Sequence, residues 1–147
     1  MSRVINTDSP GKLRNQIMRT AAEVIRRLSH KTEVDDETRD MVALLIYCFR
    51  EVSRGIDESV RAWEKRDYWL KAEQFRIKWA WVGQAAADLE RIVRTNAWDD
   101  LPHTLIGLLP YFEDIKIAKL TRKPGLWQGA YQRLLQENPS TKGSDAV

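Results

Sequence analysis

The sequence predicts an all-α protein: an antiparallel, up-and-down bundle of about four helices, closed by a short fifth segment. Three observations lead there. Apolar residues recur at spacings of three and four along most of the chain, which is the period of a helix packed on one face. No stretch offers a β-strand candidate, and no internal repeat is present. A chain of 147 residues that is 43% hydrophobic and 31% charged is globular in composition and long enough for one core. One domain is expected over residues 1–137, with 138–147 as a disordered tail.

Ser9-Pro10 opens the first helix as an N-cap followed by proline at the first helical position, where its missing N–H costs nothing. Leu13, Ile17, Ala21, Val24 and Leu28 then form its stripe, and the polar run His30-Lys31-Thr32-Glu33-Val34 interrupts the pattern. Asp35-Asp36-Glu37 places acids where a helix N-terminus favours negative charge. The second helix carries two stripes, Val42, Leu45, Phe49, Val52, Ile56 and Trp63 beside Met41, Leu44, Cys48 and Gly55. Two stripes mean two neighbours.

In the third helix Tyr68, Ala72, Phe75, Trp79, Val82, Ala86, Leu89 and Val93 keep an unbroken rhythm. Its join to the second, Glu64-Lys65-Arg66-Asp67, contains neither glycine nor proline, so a tight turn or one continuous helix over 36–96 are both open. A turn near Arg66-Asp67 with Asp67 as cap is the expectation, because so long a helix is rare in a short chain. Asn96 and Asp99-Asp100 mark a stop and a restart. The fourth stripe follows in Leu101, Leu105, Leu108, Phe112 and Ile115, with Pro110 placed to kink or divide it. After Pro124-Gly125, the residues Leu126, Trp127, Ala130, Tyr131 and Leu134 suggest a short closing helix.

The search for chemistry is mostly negative. There is no glycine-rich phosphate loop, no Gly-x-Ser-x-Gly elbow and no His-Glu-x-x-His. Arg27 stands three residues before His30 and Asp100 three before His103, so neither histidine supplies the Glu-x-x-His pair of a di-iron bundle. Asp100 is read as a cap beside a surface histidine. Cys48 is alone among Leu44, Leu45, Phe49 and Val52, and is expected to be a buried small hydrophobe. No catalytic residue, metal site or cofactor is assigned. There is no run of about 18 apolar residues, and Met1-Ser2-Arg3-Val4-Ile5-Asn6 lacks the apolar core of a signal peptide. A cytoplasmic protein with no membrane contact is therefore expected.

Charge is more suggestive. Residues 1–31 carry seven Lys/Arg against two Asp/Glu, residues 32–68 carry six against ten, and residues 116–147 carry six against two. Lys12, Arg19 and Arg26 recur every seven residues on a solvent-facing ridge of the first helix, with Arg27 and Lys31 near its end. Lys116, Lys119, Arg122 and Lys123 form a second basic cluster. These eight, Lys12, Arg19, Arg26, Arg27, Lys116, Lys119, Arg122 and Lys123, are the candidate nucleic-acid contacts, since such ridges track phosphate backbones by releasing counterions. A solvated helix face is the plain alternative. Helix three interleaves Trp69, Lys71, Arg76, Lys78 and Trp81, and Leu70, Ile77 and Trp81 lie away from its seam. An outward apolar patch on a small domain marks a partner or subunit contact, and six tryptophans suit an interface.

The run Val52-Ser53, Ile56, Glu58-Ser59, then Tyr68, Ala72-Glu73, Phe75, Trp79, Ala86 and Leu89-Glu90, resembles the four-helix family of proteins encoded in ribosomal-RNA intervening sequences. Relatives of that family include the accessory variability proteins of diversity-generating retroelements. The resemblance covers residues 50–92 in sequence and 13–120 as architecture. It implies an up-and-down four-helix bundle assembled into rings, commonly pentamers. It also implies a basic accessory protein that binds a reverse transcriptase and its template RNA. The chain departs from that pattern in three places: the glycine-containing turn between helices two and three is absent, Pro110 interrupts helix four, and a further segment follows Pro124. The resulting expectation is a non-enzymatic, homo-oligomeric accessory protein that binds nucleic acid, RNA before DNA, or a nucleic-acid enzyme. The alternative is a protein–protein adaptor whose acidic middle and basic ends pair between subunits.

Overall fold

Helical hydrogen bonding is nucleated where side chains can satisfy the orphan amides of a first turn, and the first two helices begin at such places. In the computed structural model, which describes residues 9–139, helix α1 spans Pro10–Leu28, α2 Asp36–Lys65, α3 Trp69–Thr95, α4 Leu101–Leu108 and α5 Ala130–Gln136. Short 3-10 turns lie at Trp98–Asp100, Leu109–Phe112 and Pro124–Leu126, and no strand occurs among the described residues. The Ser9 hydroxyl accepts the Lys12 amide at 3.2 Å with Pro10 at the first position. The Asp35 carboxylate accepts the Thr38 amide at 2.8 Å and the Thr38 hydroxyl at 2.7 Å, which holds its pKa well below the usual carboxylate range.

Helices α2 and α3 run antiparallel: Trp63 meets Phe75, Glu64 pairs with Arg76, and Arg50 pairs with Glu90. The turn between them falls at Arg66-Asp67, so the continuous 36–96 helix is excluded. Asp67 does not cap α3. It occupies the left-handed region at φ 63°, a conformation aspartate tolerates, while Tyr68 holds the cap position without a side-chain bond.

Helix α2 is the hub, packed against α1, α3 and α5. Its two stripes explain this, with Val42, Leu45, Phe49, Val52 and Ile56 buried on one and Met41 and Cys48 on the other. Ala21 and Val24 of α1 and Ala72, Val82, Leu89 and Ile92 of α3 complete the fully enclosed core. Burial pushes the Cys48 thiol up to about 12.

The fourth stripe is shorter than its periodicity suggests. Leu101, Leu105, Leu108 and Phe112 are buried, but α4 stops at Leu108 and Pro110 sits in the following 3-10 turn. Proline has no N–H to donate and its ring crowds the carbonyl of the residue four before it, so the helix ends instead of bending. Ile115 lies in an irregular segment, residues 113–123, here called the strap. The strap leads to Trp127, which is 1% exposed, and to α5. The Asp40 carboxylate, projecting from α2, accepts the Gly129 and Tyr131 amides at 3.1 and 3.0 Å and so anchors the start of α5. At its other end Glu137 accepts from Arg50 at 2.9 Å and from the Tyr47 hydroxyl, while Arg94 donates to the carbonyls of Leu134 and Asn138. Of the tail expected at 138–147, residues 140 onward lie outside the described residues, as do 1–8. Among the described residues no helix is long and apolar enough to cross a membrane.

Candidate nucleic-acid interface

The candidate face is built where the strap crosses α1. The strap meets Arg19 and Arg26 first, then Gln16, Thr20, Glu23 and Arg27, all on the outward side of the helix. Arg19 donates to the Lys116 carbonyl at 3.1 Å, Arg26 to Ile117 at 2.9 Å and Arg27 to Arg122 at 2.9 Å. Arg122 returns the contact, donating through Nε to the Thr20 hydroxyl at 3.0 Å and through Nη2 to the Gln16 carbonyl at 3.4 Å. The irregular strap has few backbone partners of its own, so side chains of α1 satisfy its carbonyls.

One carboxylate fastens the crossing. Glu23 is 0% exposed and accepts the Thr121 amide at 2.7 Å, the Thr121 hydroxyl at 3.0 Å and the Arg122 amide at 2.9 Å. Burial works to raise its pKa, but the two amides, the hydroxyl and the Arg122 guanidinium outweigh it and hold the group below its usual value. Glu23 thus stays ionised beneath the strap.

Arg19, Arg26 and Arg27 were expected on an open, solvent-facing ridge, and here the structure differs. Arg19 and Arg27 are half-buried, Arg26 remains exposed, and each spends at least one N–H on the strap. Arg27 also lies over the Trp127 ring at 5.2 Å. Lys12 is exposed at the start of α1, two turns from Arg19 and away from the crossing. Lys116, Lys119 and Lys123 are exposed along the strap. The two basic clusters, remote in sequence, are therefore one face.

Its electrostatics follow from the chemistry of the partners. A guanidinium bonded to a carbonyl keeps its full charge, because the acceptor is neutral. Elsewhere arginines meet carboxylates: Arg39 with Asp36, Arg54 with Glu51, Arg76 with Glu73 and Glu64, and Arg94 with Glu90. Among the described residues, the ion pair on the α1–strap face is Arg122 with Glu23, at 3.9 Å. Seven cations (Arg19, Arg26, Arg27, Lys116, Lys119, Arg122 and Lys123) thus gather around one buried carboxylate, with the exposed Glu113 and Asp114 at the head of the strap. Such a face holds a positive potential.

The apolar patch is divided. Leu70 and Ile77 are 72% and 67% exposed, as expected of an outward surface. Trp81 is not outward: it stacks on Tyr111 with centroids 4.1 Å apart and meets Phe49 and Phe112 edge-on. The 3-10 turn that follows α4 covers it, which helical spacing within α3 could not reveal.

The contributor missed in the sequence is Glu23, which fastens the strap to α1. The signal for Glu23 is legible in retrospect, as a lone acid flanked by Ala21, Ala22, Val24 and Ile25 on an otherwise basic helix. A groove of about 320 Å³ lies between the end of α1, the α1–α2 loop and α4, lined by Ile25, Leu28, Val34, Leu101, Leu105 and Ile106 among others. Its polar rim is already engaged, with Lys31 bonded to Asp35 and Glu37 and the Thr38 hydroxyl to Asp35. Among the described residues no group of three or more His, Cys, Asp or Glu could hold a metal ion. Against models of known families, curated proteins and solved structures, the chain finds no match.

Proposed function

We propose that this chain is a non-enzymatic accessory protein that binds a polyanion, RNA before DNA, through the face where the strap crosses α1. The observation that carries this reading is the concentration of seven cations around one buried carboxylate, with three arginines bonded to neutral carbonyls. Lys116, Lys119 and Lys123 make the outer contacts to phosphate, and Arg19 and Arg26 back them with charge. In this reading the helices form an up-and-down four-helix arrangement in the cytoplasm, with α4 as a truncated fourth member and α5 an addition. The resemblance to the intervening-sequence and retroelement accessory proteins adds the kind of partner, a reverse transcriptase or another enzyme working on the same RNA.

The test is titration with single-stranded RNA, structured RNA and DNA of matching sequence over a range of salt. Engagement of about four phosphates on a single strand gives a slope of log affinity against log salt near −3. Binding that ignores salt, or no binding at micromolar protein, removes the reading.

A second reading, a protein–protein adaptor or homo-oligomer without a nucleic-acid role, is favoured by the exposure of Leu70 and Ile77. Mass measurement in solution of the native protein and of Ile77→Glu tests it. A monomer with no protein partner counts against it.

A further inference from the structure

We infer that the groove between the end of α1, the α1–α2 loop and α4 binds a small molecule that has an apolar body about two fused rings in size and a protonated amine at one end. The site is separate from the α1–strap face and from the exposed stripe of α3, and it depends on neither reading of them.

Three elements supply the walls. Ile25 and Leu28 come from α1, Val34 from the loop, and Leu101, Leu105 and Ile106 from α4. Because α4 stops at Leu108, ahead of Pro110, it closes only one side of the space. Leu105 is turned inward at 8% exposure, whereas Ile106 and Leu109 stand at the mouth, 63% and 51% exposed. Trp98 adds an aromatic wall, with its indole N–H donating to the Asn96 side chain at 3.4 Å.

The polar groups that α1 and α2 bring to the groove are already engaged. The Ser29 hydroxyl donates to the Arg26 carbonyl at 2.6 Å, and the Thr38 hydroxyl is bonded to the Glu33 carbonyl and the Asp35 carboxylate at 3.2 and 2.7 Å. Water in such a space lacks the two to four polar partners that hold it, so an apolar body displaces it readily. Size narrows the choice further. An apolar cavity of about 150 Å³ accommodates benzene. The groove is about 320 Å³, which suits two fused rings, and a single Leu or Phe side chain of a partner protein would leave about half of it empty.

Charge at the mouth selects the head group. The nearby cations are all occupied: Lys31 by Asp35 and Glu37, Arg39 by Asp36, and Arg91 by Asp100. Arg26 and Arg27, on the last turn of α1, donate to the strap carbonyls of Ile117 and Arg122. Glu33 lines the groove, and Asp99 stands between the lining residues Trp98 and Leu101. Both are exposed carboxylates with no ion pair among the described residues. The charge left over is therefore negative, which favours an ammonium group and opposes a carboxylate.

The probes are tryptamine and indole-3-propionate, which share an indole body and a two-carbon arm but carry opposite charges. Each is titrated into the full-length protein and followed by methyl NMR. With about 12 non-hydrogen atoms, tryptamine should saturate with a dissociation constant of about 1–2 mM, and the propionate should bind about fivefold more weakly. The methyls of Leu28, Val34, Leu105 and Ile106 should shift and show contacts to the indole ring. Glu33→Gln/Asp99→Asn, at exposed positions, should bring the two probes to within about twofold of each other. Ile106→Trp, also exposed, should fill the mouth and weaken both at least about tenfold with an unchanged circular-dichroism spectrum. Equal affinity of the native protein for the two probes would overturn the inference. So would no saturation by about 10 mM tryptamine, or shifts centred away from these methyls.

Discussion

Replacing Glu23 by alanine should loosen the strap from α1 while the core of α1, α2 and α3 stays folded. The carboxylate accepts three bonds, from the Thr121 amide, the Thr121 hydroxyl and the Arg122 amide, and is fully enclosed. Hydrogen bonds to a charged group contribute about 1.5–3 kcal/mol each, and leaving buried donors unpaired costs a similar amount. The strap can lift and hydrate its amides, so its own opening limits the loss to about 3 kcal/mol. Glu23→Gln should cost less, about 1–1.5 kcal/mol, because the amide oxygen can still serve Thr121 while its NH₂ confronts the Arg122 N–H. Thr121→Val removes only the hydroxyl bond and should cost about 0.5–1 kcal/mol. Urea denaturation ranks the three, and hydrogen exchange locates the effect. In Glu23→Ala the Thr121 and Arg122 amides should exchange about 100-fold faster than in the native protein, with Val42 and Leu45 amides unaffected by local opening. A Glu23→Ala protein within about 0.5 kcal/mol of the native one, with the Thr121 and Arg122 amides equally protected, would refute the fastening role.

Other expectations follow from the same geometry. Glu23 has a depressed pKa, so its contribution is present above the ordinary carboxylate pKa and is lost as pH falls through the lower folded value. The protection of the Thr121 and Arg122 amides, taken relative to their intrinsic exchange rates at each pH, should fall on acidification in the native protein but not in Glu23→Ala. Lys116→Glu/Lys119→Glu/Lys123→Glu should flatten the salt dependence of RNA binding by about 2 units of slope without changing the melting temperature by more than a few degrees, read by filter binding and circular dichroism. Glu90 is 6% exposed between Arg50 and Arg94, so Glu90→Leu leaves Arg50 only Glu137 and Arg94 only the Leu134 and Asn138 carbonyls, and should cost about 1.5–3 kcal/mol in urea titration. Cys48, with its thiol held up to about 12, should resist a thiol reagent in the native protein and react at once in denaturant.

N-cap side chains that accept a backbone amide three residues on account for part of what was legible beforehand, as Ser9 with the Lys12 amide and Asp35 with the Thr38 amide illustrate. The stripes of α1, α2 and α3 could be read because helical packing is written at intervals of three and four residues, and Ala21, Leu45 and Leu89 are buried where that interval places them. The α2–α3 turn was placed correctly at Arg66-Asp67, yet the role of Asp67 was not, since aspartate suits both a cap and a left-handed turn residue.

What the sequence by itself determined is the set of helices, the buried faces of the three long ones and the uneven charge. Only the tertiary structure decided where the charge gathers and what the arginines touch. Arg19, Arg26 and Arg27 bond to carbonyls more than ninety positions away. Every residue has a carbonyl, so such an acceptor leaves no mark in the side-chain pattern. Trp81 tells the same story, covered by Tyr111 from a turn thirty residues on. Local periodicity is a property of neighbouring residues and survives in the one-dimensional string. The partner of a long side chain depends on where a distant segment is laid, and packing alone fixes that.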